Sequence, residues 1–310
     1  MSSESNPGND GVSILERAAR RLDQALSTGG GDRSSTKEAV RRQAYEPTLD
    51  LSETGVANDE DDLPQRLSRR GEIDLVSLRE NGYIVPDSPA TVTAEEFRLL
   101  KRQLLLNAFA RGEGAIRNGN LILVCSTQPN EGKTFCAINL ALSIASERDL
   151  TVLLVDADFA KPEILSTLGL EGGKGLIDVI ADPTLNLSDC LIRTNIENFA
   201  VLPAGRQHHL TTELLASERM GMMIEEIAQR YRDRVIIFDS PPVLASSAAS
   251  VLALHVGQTL FVVEAESTRE PQLREGLAMI SACKHTHLLL NKTRFSSGGR
   301  KFGSYYGYGA

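Results

Sequence analysis

Residues 121–145 constrain the fold more than any other stretch of the chain. Leu121-Ile-Leu-Val-Cys125 is an unbroken apolar run, which suits a strand covered on both faces. It is followed by Ser126-Thr-Gln-Pro-Asn-Glu-Gly-Lys133-Thr134, and then Phe135, Ile138, Leu142 and Ala145 fall on one helical face. A buried strand, a loop closing on Gly-Lys-Thr and a helix against the strand form the setting of a phosphate-binding loop. The helix-opening N–H groups and the helix dipole suit phosphate oxygens. Lys133 would reach the β- and γ-phosphates and Thr134 would hold Mg²⁺. The strict G-x-x-x-x-G-K-[ST] pattern is not met, because Thr127 stands where its first glycine belongs. A Gly-Lys-Thr helix start that binds nothing is the competing reading, and the loop alone does not decide between the two.

Two strand ends decide it. Val152-Leu-Leu-Val-Asp156-Ala-Asp158 closes an apolar run on carboxylates at i and i+2, which extended geometry points to one side. Val235-Ile-Ile-Phe-Asp239-Ser-Pro-Pro242 repeats the design. Ligands of open α/β sheets bind at the carboxyl ends of strands. One strand-end aspartate is commonly a turn or helix cap; three in two apolar strands beside a phosphate loop point to Mg²⁺ and phosphate chemistry.

The 310 residues, 41% of them hydrophobic, suffice for one large domain with extensions. A net charge of −8 argues against a nucleic-acid partner, which calls for a basic footprint. Cys125, Cys136, Cys190 and Cys283 show no C-x-x-C spacing and read as reduced, mostly buried thiols of a cytoplasmic protein. The N-terminus has no apolar core for a signal peptide. Ser240 to Val263 carries no Asp, Glu, Lys or Arg, but Pro241, Pro242 and several serines make it a loop, a small-residue helix and a buried strand rather than a membrane span. His208-His209 and His285-x-His287 lack accompanying ligands at familiar metal spacing.

Strands are predicted over 121–126, 151–156, 199–203, 234–239, 258–264 and 287–291, with helices between them, notably 133–147, 211–231 and 270–283. This is an α/β fold of the P-loop NTPase type: a doubly wound, mostly parallel sheet with helices on both faces. Upstream, 94–106 reads as an amphipathic helix in which Glu95, Arg98 and Lys101 share a face, either as ordinary charge pairing or as a subunit contact. Residues 1–72 read as a flexible region holding one short helix at 11–27, with Ile14, Leu15, Ala18, Leu22 and Leu26 as its apolar stripe. The catalytic domain is expected over 73–295 and a flexible tail over 296–310, where Tyr305, Tyr306 and Tyr308 stand among glycines.

The loop at 126–134, Leu153-Leu-Val-Asp-Ala-Asp-Phe-Ala-Lys-Pro162 and Ile236-Ile-Phe-Asp-Ser-Pro-Pro-Val-Leu244 resemble the variant Walker A, the Walker A′ and the Walker B motifs of the bacterial tyrosine kinases. Leu202-Pro-Ala-Gly205 and Glu213-Leu-Leu-Ala-Ser217 fit the same family, and the likeness covers roughly 73–310. The upstream region is most similar to the stand-alone cytoplasmic branch associated with exopolysaccharide production and exosortase loci. Two departures stand out. Asn130 occupies a position commonly Gly, which Asn tolerates through its left-handed backbone. The subunit motif Glu-x-x-Arg-x-x-Arg ends here in Lys101, which lacks the bidentate grip of Arg.

The resemblance implies an ATP-dependent autokinase with Mg²⁺. Lys133, Asp156, Asp158 and Asp239 would be catalytic, and Thr134, Asp156 and Asp239 would bear on the metal. Thr127, Gln128, Pro129, Asn130, Glu131, Gly132, Lys133, Thr134 and Phe135 would surround ATP. Asn291 would contact adenine or serve as an ordinary strand-end residue. Asp156 or Asp158 would be the base, and Tyr305, Tyr306 and Tyr308 the phosphoacceptors; without the resemblance they read as a low-complexity end or an aromatic anchor. Expected partners are a separate transmembrane polysaccharide co-polymerase that activates the kinase at the inner face of the membrane, further copies of the chain in a homo-oligomer or ring, and a phosphotyrosine phosphatase. The 11–27 helix is a candidate docking element. Two rivals remain: a partition- or septum-positioning ATPase, and a non-catalytic ATP-binding member of an export complex. The first begins its loop with a signature lysine where Gln128 stands; the intact Lys133 and aspartates oppose the second.

Overall fold

The computed structural model describes residues 69–86, 91–230 and 233–293, with the side chains of 229 and 230 excepted. The elements run β1 (Arg69–Gly71), α1 (Leu75–Glu80), α2 (Val92–Ala108), β2 (Leu121–Ser126), α3 (Lys133–Ala145), β3 (Thr151–Asp156), α4 (Ile164–Leu168), α5 (Leu176–Ala181), β4 (Ile192–Thr194), β5 (Phe199–Leu202), α6 (Thr211–Leu215), α7 (Glu218–Arg230), β6 (Arg234–Asp239), α8 (Ala248–Leu252), β7 (Gln258–Glu264), α9 (Glu270–Met279) and β8 (Thr286–Asn291). The strands form one sheet in the order β1-β4-β5-β3-β6-β2-β7-β8. All pairings are parallel except β4 with β5.

Alternation along each strand divides the core into two layers, because successive side chains leave opposite faces. Ile122, Val124, Val152, Leu154, Val235 and Ile237 face the layer containing Phe97 and Leu104 of α2 and Ile138 and Leu142 of α3. Leu121, Leu123, Cys125, Leu153, Val155, Ile236 and Phe238 face Ile177 of α5, Leu215 of α6, Met220 and Ile224 of α7 and Leu252 of α8. With both faces covered, the central strands carry no alternating polar positions, and all six residues of β2 are buried. Truncating a buried leucine here, such as Leu123 or Leu154, costs about 2–5 kcal/mol.

All six predicted strands are present. Differences arise where the sequence signal is short or interrupted. The helix expected over 211–231 is two helices, α6 and α7. Ser217 interrupts it: its hydroxyl donates to Leu214 O and accepts from the Met220 amide, so it ends one helix and starts the next. The sheet also begins upstream of Ile73, with the polar three-residue β1 beside β4. Neither strand is long enough to show a period. The uncharged stretch from Ser240 divides into a loop, α8 and β7, and no helix among the described residues is long and apolar enough to cross a membrane. The 11–27 helix, the acidic run 59–62 and the tail tyrosines lie outside the described residues.

Candidate active site

β6 lies between β3 and β2, so the topology alone brings the motifs together. Asp239 is in register with Asp156 on one side and with Val124 on the other. The Ala157 amide donates to Asp239 O at 2.8 Å, tying the two strand ends. The loop after β2 rises over the same edge and enters α3 at Lys133.

Two left-handed residues shape that loop. Asn130 has φ 67°, the backbone the sequence permits there, and Gly132 has φ 95° and caps α3. A Cβ on Gly132 would run into the side chain of Asn291, so this glycine answers to both strain and space. The opening amides of α3 have no acceptor within the helix and are oriented to receive an anion.

Lys133 is buried and faces the carboxylates rather than solvent. Its Nζ donates to Asp158 Oδ2 at 2.7 Å and to Thr134 Oγ1 at 3.3 Å, and lies 3.9 Å from Asp239 Oδ1. Burial pulls its pKa down, but Asp239 and Asp158 outweigh that and hold it above the ordinary lysine value. Asp156 accepts from the amides of Asp158 and Ile164, each at 3.3 Å. Burial, reinforced by Asp239, nevertheless pushes it up to about 7. Burial likewise pushes Asp239 up to about 6, with Lys133 and then Thr134 pulling it back without either closing a hydrogen bond onto it. Neither Asp239 oxygen has a hydrogen-bond partner among the described residues, and the buried Thr127 hydroxyl is equally unpartnered. Buried polar groups ordinarily find partners. A hard oxygen ligand without one, beside the Thr134 hydroxyl and the loop amides, fits a site for a divalent cation and a phosphate chain.

The remaining loop residues brace one another. Glu131 is 3% exposed; its Oε2 accepts from the Gln128 amide at 2.9 Å and its Oε1 accepts from the Thr268 hydroxyl. Asn291 donates through Nδ2 to Glu131 O at 2.9 Å. Pro129 and Phe135 complete the stretch, Phe135 tilting against Tyr83 with ring centroids 5.0 Å apart. Sequence reasoning missed Thr268 and Lys292, whose Nζ donates to Asn130 O at 2.6 Å, because neither belongs to a phosphate-loop pattern.

The α2 charges do not form one exposed stripe. Arg98 and Glu95 pair at the surface, whereas Lys101 is buried, donating to Ser143 O at 2.7 Å and meeting Glu147 at 2.6 Å. The i, i+3, i+6 spacing does not report depth: at Lys101 the helix has reached Ser143 and Glu147 beside α3. His208 and His209 stack with centroids 4.7 Å apart. All four cysteines are free and buried.

A model of the AAA domain matches residues 120–282, more than half of the chain. The tyrosine-protein kinase Wzc of Salmonella typhimurium is 31% identical over 184 residues, 59% of this chain and 24% of that protein. The chain thus spans about a quarter of that relative's length. The tyrosine-protein kinase YwqD of Bacillus subtilis is 26% identical over 208 residues, 67% of this chain and 84% of that one. Among solved structures, the VpsO kinase domain superposes with a TM-score of 0.55 at 29% identity, covering 65% of this chain and 95% of its own. The kinase domain of the Escherichia coli tyrosine kinase ETK shares the fold, with a TM-score of 0.57 at 22% identity over 76% and 97% of the two chains. With its phosphate loop and both aspartate strand ends inside the matched region, the chain belongs to the AAA domain family, and the relatives it is similar to within that region are named tyrosine-protein kinases.

Proposed function

We propose that this chain is an ATP-dependent protein-tyrosine autokinase that transfers the γ-phosphoryl group of ATP to Tyr305, Tyr306 and Tyr308. The observation that carries the reading is the buried cluster of Lys133, Asp156, Asp158 and Asp239 at adjacent strand ends under the phosphate loop.

Lys133 and the α3 amides bind the phosphates and neutralise charge that develops on the transferred group. Lys133 leaves its ion pair with Asp158 to do so, which frees that carboxylate. Thr134 and Asp239, with Asp156 alongside, would hold Mg²⁺, which when bound would supply charge neutralisation on the phosphate oxygens. The tyrosine oxygen forms the new P–O bond as the bond between the β- and γ-phosphates breaks and ADP departs. The phenol proton passes to Asp158 or Asp156; the latter's pKa of about 7 suits a base working near neutrality. A free phenol, with a pKa of about 10, needs that help. Asn291, which donates to Glu131 O in the loop, is assigned to a contact with adenine.

Relatives named as tyrosine-protein kinases support the kinase reading, and we assign the chain regulation of surface-polysaccharide export together with a separate membrane co-polymerase partner and an opposing phosphotyrosine phosphatase. The exposed Glu95–Arg98 pair is assigned to contacts between copies. Tail phosphates add negative charge beside a carboxylate-lined site and so loosen the oligomer; equal masses for the phosphorylated and unphosphorylated protein would contradict this. The reading is tested by incubating the full chain with Mg-ATP and locating phosphotyrosine by mass spectrometry. Wild type gains phosphate on the tail; Lys133→Met and the triple Tyr→Phe variant do not. ATP hydrolysis without phosphotyrosine, even with a membrane partner added, would instead support the partition-type ATPase.

A further inference from the structure

Three segments far apart in sequence converge on the back of the phosphate loop. The end of β7 and the turn after it contribute Glu264 and Thr268, the end of β8 contributes Asn291 and the adjoining Lys292, and the loop presents Asn130 and Glu131. The Thr268 hydroxyl accepts from the Glu264 amide at 3.0 Å while donating to Glu131 Oε1. The other Glu131 oxygen holds the Gln128 amide, so Thr268 is connected to the front of the loop through one buried carboxylate. Lys292 Nζ bridges Asn130 O at 2.6 Å and Glu264 Oε1 at 3.1 Å. The Ala265 amide donates to Asn291 O at 2.9 Å, locking the two outer segments together.

The backbone supports a purpose for this arrangement. Non-glycine residues with positive φ include Asn130 at 67°, Glu266 at 62° and Lys292 at 56°, one from each of the three segments. Asn takes this conformation readily, but Glu and Lys do so only where surrounding structure imposes it, and such strain gathers at functional sites. Two strained non-glycine residues flank the loop's outer contacts rather than its phosphate face.

We propose that Thr268 and Lys292 are positioning residues for nucleotide binding: acting through Glu131 and Asn130, they hold the phosphate loop in its receptive shape and set nucleotide affinity without touching the nucleotide. This rests on the phosphate-loop part of the proposed function but not on tyrosine transfer. A loop already fixed by the clamp spends no binding free energy on ordering itself, so loosening the clamp weakens the ground state and the transition state alike.

The test titrates a fluorescent ATP analogue into the full chain with Mg²⁺, alongside a thermal melt. Thr268→Val removes the hydrogen bond to the Glu131 carboxylate and the acceptor of the Glu264 amide, and raises Kd about tenfold. Thr268→Ser restores it to within about twofold, since the hydroxyl and not the methyl makes the contact. Lys292→Met, at a half-exposed position, raises Kd about threefold with little change in Tm, and carries the test if Thr268→Val fails to fold. In turnover assays KM for ATP rises while kcat stays put. Unchanged Kd in Lys292→Met and Thr268→Val, a loss that serine does not restore, or a fall in kcat at constant KM would each overturn the proposal. Because the titration reads binding alone, shifted Kd values in a protein that makes no phosphotyrosine would sink the kinase reading and leave this one standing.

Discussion

The ends of β3 and β6 look alike in sequence, four apolar residues and then an aspartate, but they differ in what the protein does with the carboxylate. Asp156 is supplied with two backbone amides by its own chain, at Asp158 and Ile164. Asp239, equally buried and one strand away, receives no hydrogen bond. Burial raises both all the same, Asp156 to about 7 and Asp239 to about 6. Beyond burial, the neighbouring charges act in opposite directions: Asp239 pushes Asp156 up, whereas Lys133 pulls Asp239 down. The chain orients one carboxylate with its own amides and leaves the other without a hydrogen bond, set by the charges around it.

If that contrast is right, Asp239→Asn should have effects of opposite sign on activity and on stability. Tyrosine phosphorylation should fall by about 10²–10³-fold, the loss seen when one stabilising group of a transition state is removed. Metal-free protein at pH 8 should become more stable, because a buried carboxylate that receives no hydrogen bond, with Lys133 no nearer than 3.9 Å, is gone. Equal activity, or a lower Tm, would break the comparison.

A pH titration of stability without metal gives the next largest effect. The folded pKa values of Asp156 and Asp239 lie above the unfolded value of 3.8, so between about 4 and 7 the folded protein binds more protons than the unfolded chain. The contribution of these two groups therefore falls as pH rises through that window. The fall amounts to several kcal/mol in all, since each tenfold difference in proton affinity between the folded and unfolded states is worth about 1.4 kcal/mol. Asp239→Asn should flatten part of the slope. A smaller effect separates the ends again. At pH 5, where the Asp156 carboxyl is largely protonated, Asp156→Ala should cost about 1–3 kcal/mol by leaving the Asp158 and Ile164 amides unpaired. No loss in urea unfolding would mean those hydrogen bonds contribute nothing.

How much of this could be read from the sequence depended on whether the signal was local. The central strands were legible because burial on both faces leaves long apolar runs, and the phosphate loop because its glycine, lysine and threonine are contiguous. The left-handed backbone at Asn130 followed from residue type. β1 and β4 were not legible, being three residues each and held by pairing with one another rather than by pattern. The burial of Lys101 was hidden because helical spacing states which residues share a face and not where the neighbouring α3 covers it. Thr268 and Lys292 were hidden because their partners, Glu131 and Asn130, lie 137 and 162 residues away along the chain. Only the topology, which sets β7 beside β2 and β8 beyond it, brings them to the loop.

The most direct measurement compares the thermal stabilisation that ADP gives with and without Mg²⁺, in wild type and in Asp239→Asn. Wild type should gain a clear Mg²⁺-dependent increment over ADP alone, because binding to the folded state adds to its stability. Asp239→Asn should start from a higher Tm and lose most of that increment. An increment of the same size in both proteins would show that Asp239 is not held for the metal, and would contradict the reading of this strand end as the ligand left open by the fold.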